Sequence, residues 1–358
     1  MKNLNIMAPI NGQTGYSIAA LCIVDSLTKL GVKVSLFPIG QEDCHAHPKY
    51  HQSIRQSLEN AQFFDVDAPC IRIFHQFSMA EFVGRGKHIG FPFFELDKFN
   101  KLEQHHLNSC DQLFISSNWA KIVSYYENDI KPKHEVVPLG VDQEIFKPSP
   151  VNKGKKTCFL NIGKWEYRKG HDVILECFNQ AFRQDDDVEL WMMCDNIVKM
   201  DENIKWQTRY KSSVLSNKIK FIPRSSTQDG VANIIAQSHF GLYPARAEGW
   251  NLDLLESMSV GRMNIVSNYS AHTEYCNEKN SVLLNIKNLE LAYDGIWFHG
   301  NCGSWAKFDE YFKMELAHNM RELYLKHQRG EDIYNAAGVE TAKQFSWENT
   351  AKKILEVL

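Results

Sequence analysis

The chain has 358 residues, a length that predicts two domains at roughly 100–200 residues each. With 44% apolar and 23% charged residues it is unlike a disordered chain, and its net charge of −3 argues against a broad electrostatic interface with nucleic acid. Nine cysteines without a C-x-x-C pair favour a reducing cytoplasm, and no apolar run reaches the roughly 20 residues that span a membrane, so only peripheral contact with the cytosolic face stays open.

Strand and helix patterns alternate from the N-terminus. An apolar run at 4–8 predicts a buried strand, a glycine-bearing loop follows at 11–15, and helical spacing at 16–30 ends at Gly31. With the next strand at 32–38, this order predicts a β-α-β unit in a parallel sheet. Further strands are expected at 70–74, 88–91, 112–116 and 135–137, and a helix at 117–128 with Ser117 or Asn118 as its cap.

The alternating pattern breaks at 138–156, which is rich in proline, glycine and lysine. This composition predicts a boundary between an N-terminal domain at 1–145 and a C-terminal domain at 153–335. The second series predicts six strands, at 157–162, 188–193, 219–222, 240–243, 263–266 and 281–284. It predicts helices between them at 172–183, 227–238 and 252–260. The tail is predicted to be helical, with breaks near Gly330 and Gly338. The chain is therefore expected to form two doubly wound α/β domains, with ligands at the carboxyl ends of the strands.

An acidic segment, E-G-W-N-L-D-L-L-E at 248–256, follows a predicted strand and opens a predicted helix. The N–H groups near Asn251 and Leu252 would form a cradle for a diphosphate, because a helix N-terminus carries about half a positive charge. Glu256 suits bidentate hydrogen bonds to ribose hydroxyls. The alternative interpretation is an ordinary strand-to-helix turn with acidic residues in the first turn of the helix.

A basic segment, G-K-W-E-Y-R-K-G at 163–170, also follows a predicted strand. Lys164, Arg168 and Lys169 could neutralise a leaving diphosphate, and Gly163 allows close approach of the backbone. The segment lacks the G-x-x-x-x-G-K-[ST] pattern of a Walker phosphate loop, and a solvated basic turn is the alternative interpretation.

Four segments together resemble the retaining GT-B glycosyltransferases of glycosyltransferase family 4, also called glycosyl transferases group 1. Glu248 and Glu256 match that family's E-x(7)-E motif, and P-A-R-A-E-G-W-N-L around Glu248 resembles its P-S-x-x-E-G-F-G-L. The basic segment resembles G-R-x-x-x-x-K-G, V-P-L-G-V-D at 137–142 resembles V-P-N-G-V-D, and S-S-N-W at 116–119 resembles a helix opening. The resemblance covers about residues 90–285.

The resemblance implies a GT-B fold, in which two Rossmann-like domains face each other across a cleft and a helix at 338–358 crosses back to the N-terminal domain. It implies transfer of a sugar, with retention of configuration, from a nucleotide-diphosphate sugar (UDP- or GDP-linked) to a carbohydrate-type or other small acceptor, as in polysaccharide biosynthesis. No cofactor and no metal are expected, because cations and the helix dipole stabilise the leaving group.

Site residues follow from the same resemblance. Lys169 would bind the diphosphate, Glu248 the donor sugar and Glu256 the ribose; Asp253 replaces a frequent proline. The remaining donor-binding positions would be Gly15, Lys164, which replaces a more usual arginine, Arg168, Gly249, Asn251 and Leu252.

The N-terminal domain contributes weaker candidates. His75 follows a predicted strand, at a place where family members often carry a histidine near the transferred sugar, so that Glu248, His75 and Lys169 form the expected catalytic set. Glu95 and His75 are the candidates for acceptor contact, although His75 could be structural. The residues Cys44, His45, His47 and His51 have the types of zinc ligands but lack a second cysteine pair.

Two other functions stay open at this stage. A sugar-nucleotide epimerase could use the same scaffold but would need further acid and base groups. A non-catalytic sugar-nucleotide-binding or regulatory protein could retain the fold without turnover.

Overall fold

The structure is a computed structural model that describes residues 2–43, 47–152 and 154–358. The chain divides into two compact units. The N-terminal unit comprises the described residues of Met1–Asp142 together with Gln344–Leu358, and the C-terminal unit comprises those of Gln143–Lys343.

The N-terminal unit is built around a six-stranded sheet with the order β2-β1-β3-β4-β5-β6, in which every pair of neighbours is parallel. Its elements are β1 (Asn3–Ile10), α1 (Gly15–Lys29), β2 (Lys33–Glu42), α2 (His51–Asn60), β3 (Cys70–Ile73), β4 (His88–Phe91), α3 (Lys101–Asn108), β5 (Gln112–Ile115), α4 (Asn118–Lys121) and β6 (Lys133–Val136). A π-helical turn at Ile122–Glu127 extends α4.

The C-terminal unit has a second six-stranded parallel sheet, with the order β12-β11-β10-β7-β8-β9. The elements of this sheet are β7 (Thr157–Gly163), α5 (His171–Ala181), β8 (Val188–Cys194), α6 (Met200–Lys211), β9 (Ile219–Phe221), α7 (Gln228–Gln237), β10 (Phe240–Tyr243), α8 (Leu252–Ser259), β11 (Met263–Asn268) and β12 (Val282–Asn285). An antiparallel hairpin of β13 (Leu289–Tyr293) and β14 (His299–Ala306) follows, and then α9 (Glu310–Gln328) and α10 (Ala336–Gln344).

The last helix, α11 (Trp347–Val357), belongs to the N-terminal unit and packs against α1. The Thr350 hydroxyl donates to the carbonyl of Pro138 at 2.8 Å, and a Cβ on Gly140 would come within 2.3 Å of the backbone nitrogen of Trp347. The start of α11 therefore packs directly on the segment that follows β6.

The expected fold class, two Rossmann-like α/β units, is confirmed, and each of the twelve sheet strands overlaps a segment that was predicted as a strand. Ser117 caps α4 as expected, since its hydroxyl accepts from the backbone N–H of Ala120 at 3.1 Å. The helices α2, α3 and α6 and the β13–β14 hairpin were not predicted. The three helices are mostly polar, and Ile54 and Leu58 are the only apolar residues of α2, too few to indicate a helix by their pattern.

The predicted break near Gly338 was wrong: this glycine lies inside α10, and the chain leaves the helix only at 345–346. The side-chain Oδ1 of Asn335 accepts from the backbone N–H of Gly338 at 2.8 Å, while a Cβ on Gly338 would come within 2.4 Å of Asn335 Nδ2. Glycine is needed there for close packing at the start of the helix, not to end it. The region 338–358 therefore holds two helices where one was expected, and Ser346 caps the second.

No helix within the described residues is both long and apolar enough to cross a membrane. The described cysteines are all free thiols, and all of them except Cys302 are buried.

Candidate nucleotide-sugar site

Two connections meet at the carboxyl edge of the C-terminal sheet. One follows β7 and carries the basic segment, the other follows β10 and carries Glu248, and β7 and β10 are paired neighbours. The backbone N–H of Arg246 donates to the carbonyl of Arg168 at 2.7 Å and joins the two connections. A Cβ on Gly170, whose φ is +77°, would lie 2.2 Å from the carbonyl oxygen of Pro244, so only glycine permits this approach.

Glu248 is buried between two cations. Its Oε2 lies 2.9 Å from Arg168 Nη1 and its Oε1 lies 2.9 Å from Lys169 Nζ. The Arg168 guanidinium also donates to the carbonyl of Ala247 at 2.7 Å and to Glu166 Oε2 at 2.9 Å. Three of the residues expected in the site are therefore joined directly, and Arg168 fixes the carboxylate of Glu248.

The positive and negative groups of this cluster stabilise each other in their charged forms. Burial by itself raises the pKa of Glu248, but the charges of Arg168 and Lys169 outweigh burial and lower the pKa to about 2. Burial likewise lowers the pKa of Lys169, but the carboxylates of Glu248 and Asp253 outweigh it and raise the pKa above its ordinary value. At neutral pH, Glu248 is a carboxylate and Lys169 an ammonium group.

The start of α8 is held in an unusual backbone conformation. Asn251 has φ +81°, in the left-handed region, and its side-chain oxygen accepts from the N–H of Leu254 at 3.3 Å. Its amide nitrogen donates to His272 Nε2 at 2.9 Å, and His272 Nδ1 donates to the carbonyl of Ser267 at 3.0 Å. This network fixes the N-terminus of α8, which is the part of the site suited to an anion.

Burial lowers the pKa of His272 to about 4, although the charge of Glu248 opposes this shift. The imidazole is therefore neutral at pH 7 and can accept from Asn251 while it donates to the backbone. The Tyr275 hydroxyl donates to the carbonyl of Trp250 at 2.8 Å in the same connection. His272 and Tyr275 escaped the sequence analysis, although both lie after β11, the strand beside β10, where the rule on strand ends could have indicated them.

A second buried arginine connects the elements that surround Glu248. Arg246 pairs with both carboxylate oxygens of Asp172 at 2.9 Å. Its guanidinium lies 3.7 Å from the ring centroid of Tyr167 and 4.4 Å from that of Phe308. The connections after β7 and β10 are thus tied to α5 and to the segment before α9.

Lys164 pairs with Glu166, the carboxylate that also pairs with Arg168, and not with Glu248. Its Nζ lies 4.9 Å from the ring centroid of Trp297, at the tip of the β13–β14 hairpin. Lys199 approaches the same ring to 5.8 Å. The hairpin, which was not predicted, thus places an aromatic ring beside one of the three cations expected to neutralise the diphosphate.

The remaining donor candidates lie on α8 or beside it. Gly249 and Leu252 flank the segment that contains Asn251, and Leu252 is the first residue of α8. Glu256 is a buried residue of the same helix, one turn after its start. Asp253 Oδ2 lies 3.9 Å from Lys169 Nζ.

The candidates of the N-terminal unit surround an aromatic cluster at the carboxyl edge of its own sheet. Gly15 is the first residue of α1, His75 follows β3 and Glu95 follows β4. The His75 ring centroid lies 4.7 Å from that of Tyr16 and 5.1 Å from that of Phe77, which stacks in parallel. The structure thus brings His75 and the start of α1 together.

Tyr16 is a member of this cluster that sequence analysis missed. Its hydroxyl donates to the carbonyl of Phe93 at 2.6 Å, and the two rings stack at 4.8 Å. Its position, directly after Gly15 in the first turn of α1, was the available signal.

Of the four residues with the types of zinc ligands, the structure describes His47 and His51. Among the described residues, no group of three or more potential ligands could hold a metal ion. His47 Nε2 donates to the carbonyl of Gly12 at 2.9 Å, which is a structural contact. Cys44 and His45 lie outside the described residues.

Residues 156–296, less than half of the chain, match the model of the family described as glycosyl transferases group 1. The search of curated proteins found no match.

Several solved structures are similar over the whole chain. Sucrose-phosphate synthase from Thermosynechococcus elongatus superposes with a TM-score of 0.72 at 12% identity, covering 100% of this chain and 98% of that one. Anabaena Alr3699/HepE in complex with UDP-glucose gives a TM-score of 0.70 at 13% identity, with 100% and 99% covered. A glycosyltransferase from Rickettsia africae gives 0.69 at 14% identity, with 99% and 97% covered. These likenesses show that the chain has the GT-B fold.

Proposed function

We propose that the protein is a retaining glycosyltransferase that moves a sugar from a nucleotide-diphosphate sugar to an acceptor. The observation that carries this proposal is the Arg168–Glu248–Lys169 cluster beside the N-terminus of α8. A charged carboxylate, a buried ammonium group and a helix N-terminus within one site suit a sugar joined to a diphosphate.

The comparisons support the same proposal. The matching family model spans the segment that holds the cluster, and the Anabaena protein, which shares the fold, is described in complex with UDP-glucose. A uridine or guanosine diphosphate donor fits this chemistry.

Each residue has a role in the proposed reaction. Lys169 and the N-terminus of α8 bind the diphosphate and stabilise its charge as it leaves, without a metal ion. Glu248, held by Arg168, accepts hydrogen bonds from the hydroxyls of the donor sugar, and Glu256 accepts them from the ribose. Arg168 is a positioning residue, because its guanidinium is engaged by Glu248, Glu166 and the backbone.

The N-terminal unit would contribute to the reaction through His75 and Glu95, which we assign to the acceptor and the transferred sugar. The acceptor is a carbohydrate or another small molecule, and peripheral contact with the cytosolic face of a membrane is compatible with a lipid-linked one.

The test is a release screen. Purified protein is mixed with UDP-, GDP-, ADP- and CMP-sugars in the presence of EDTA, and free nucleotide is measured. We expect slow release from one donor, which Glu248→Ala and Lys169→Ala abolish. Lys220→Ala is the matched control for Lys169→Ala, because Lys220 forms a comparable ion pair with Glu189 at 2.8 Å on the same sheet. Release that persists in Glu248→Ala and Lys169→Ala contradicts the assignment of the site.

A non-catalytic sugar-nucleotide-binding protein is the second candidate. It is favoured by one observation: each cation of the basic segment that was expected to face a diphosphate already has a carboxylate partner. Thermal stabilisation by nucleoside diphosphates, combined with the absence of any transfer product, would favour this candidate over the enzyme.

A further inference from the structure

Asp253 brings a negative charge to the part of the site that is suited to an anion. It lies in the first turn of α8, after Asn251 and Leu252, whose backbone opens the helix. Its Oδ2 lies 3.9 Å from Lys169 Nζ, and its side chain is 29% exposed. The carboxylate therefore faces the same ammonium group and the same helix dipole that would receive a diphosphate.

The charges nearby leave little surplus for a second anion. Glu248 already lies 2.9 Å from Lys169 Nζ, and Arg168 is committed to Glu248 and Glu166. Around Glu248, the cations Lys164, Arg168 and Lys169 thus face the carboxylates of Glu166, Glu248 and Asp253, and Arg246 is paired with Asp172. A diphosphate that enters this balanced cluster adds two negative charges within a few ångströms of Asp253.

Asp253 also has charged neighbours on other elements. Burial raises its pKa, the charge of Lys169 opposes this shift, Glu248 adds to it, and Arg224, in the connection between β9 and α7, opposes it. In turn, the charge of Asp253 contributes to the raised pKa of buried groups on neighbouring elements, which are Cys194, Tyr243 and Tyr275. The helix that carries Asp253 follows β10, which is one of the two central strands of this sheet.

We propose that Asp253 is an affinity-determining residue that competes with the donor diphosphate: without donor, its carboxylate occupies the anion position formed by Lys169 and the N-terminus of α8. This inference rests on the proposed function. Donor binding then requires that the carboxylate turn away from Lys169 or take up a proton. The competition weakens the affinity for the diphosphate and, through it, allows product to leave.

The experiment compares wild type with Asp253→Asn and Asp253→Ala by titration calorimetry, with UDP, GDP, ADP and CDP as ligands. We expect both variants to bind the preferred nucleoside diphosphate roughly tenfold more tightly or better, since unit charges at this spacing near a protein surface interact strongly. The corresponding nucleoside, which carries no phosphate, should bind all proteins equally. Two variants are needed because an asparagine amide could itself donate to a phosphate, whereas alanine cannot.

Asp185→Asn is the control for the loss of one negative charge. Asp185 is exposed in the connection between α5 and β8, at the amino edge of the same sheet, and its replacement should leave the affinity unchanged. Thermal unfolding verifies that each variant is folded, and Asp253→Ser replaces a variant that is not.

Three results would count against the inference in different ways. Unchanged affinity in both variants shows that Asp253 does not compete, and weaker affinity shows that it binds the donor. If none of the four nucleoside diphosphates binds wild type or either variant, the proposed function itself fails, and the inference falls with it. The first two results leave the proposed function intact, because the diphosphate still binds.

Discussion

The candidate sites of the two units use different chemistry at the same place in the same kind of sheet. In the C-terminal unit, the carboxyl edge holds Glu248 between Arg168 and Lys169, with all three side chains nearly buried. In the N-terminal unit, the corresponding edge holds the rings of Tyr16, His75 and Phe77, and Phe77 is 46% exposed.

This difference shows which kind of site tolerates change. A buried carboxylate must keep its cationic partners, since an unpaired buried charge is costly, so the residues of the C-terminal site are fixed as a group. Stacked rings can be exchanged at a cost of about 0.5–1.5 kcal/mol, so the N-terminal site can be adapted to a different ligand one residue at a time. The predictions below test this contrast.

The largest effect is expected from Glu248→Gln. The substitution removes the charge that pairs with Arg168 and Lys169, and breaking a buried ion pair costs about 3–5 kcal/mol. We expect nucleotide release to fall below detection and the free energy of unfolding, measured with urea, to drop by several kcal/mol. Glu189→Gln is the matched control, because Glu189 also pairs with two lysines and also has a pKa lowered to about 2, against the effect of its burial. Full activity in Glu248→Gln would contradict the site.

The same carboxylate makes stability depend on pH. The pKa of Glu248 falls from its ordinary 4.5 to about 2 in the folded protein, because the nearby cations outweigh burial. A lowered folded-state pKa stabilises the protein above pH 4.5, and this contribution, about 3 kcal/mol, is lost as the pH falls from 4.5 to 2. Urea unfolding between pH 2 and 6 should show a smaller decline in Glu248→Gln than in wild type. Equal declines would mean that Glu248 is not paired in solution.

The contrast between the units also explains what the sequence could predict. The positions of the strands and of the acidic and basic segments could be predicted from the sequence, because a parallel sheet needs continuous apolar runs and a diphosphate site needs recognisable charges. The side chains that hold those segments in place could not be predicted from the sequence. His272 and Tyr275 approach Asn251 and Trp250 only because β11 lies beside β10, and nothing in their spacing along the chain shows it.

The direction in which a side chain points was the other property that the sequence did not predict. Arg168 and Lys164 stand in the same basic segment and both pair with Glu166, yet Arg168 also pairs with Glu248, whereas Lys164 lies near the ring of Trp297. Trp297 belongs to the β13–β14 hairpin, which was not predicted. In the N-terminal unit, His75 and Gly15 were identified, but the aromatic cluster that joins them depends on ring contacts.

An intermediate effect is expected from substitutions of Asn251, whose backbone φ is +81°. These substitutions test whether the start of α8 is held in the left-handed conformation. Asn251→Gly keeps this conformation without strain but leaves His272 Nε2 without its donor, a loss of about 1–3 kcal/mol. Asn251→Ala should cost about 1 kcal/mol more, because alanine disfavours the left-handed region. Urea unfolding of both variants measures the difference, and equal stability would contradict the left-handed conformation. At Asp129, with φ +52° in an exposed turn, the same pair of substitutions should differ similarly, with little loss from glycine itself.

The smallest effect is expected in the N-terminal unit, from His75→Ala. The substitution removes the ring that we assign to the transferred sugar. Loss of one such contact in the transition state, worth about 1.4 kcal/mol, should slow nucleotide release from the preferred donor by roughly tenfold. Loss of the ring contacts with Tyr16 and Phe77 should lower the free energy of unfolding by about 0.5–1.5 kcal/mol. The affinity for the nucleoside diphosphate, measured by calorimetry, should stay the same, because the contacts proposed for the diphosphate are those of Lys169 and the N-terminus of α8, not of His75. His105→Ala, at an exposed position on α3, controls for the loss of an imidazole. If His75→Ala weakened diphosphate binding as much as it slowed release, the two sites would not be separable, and a charged group of the N-terminal unit would have to be added to the donor site.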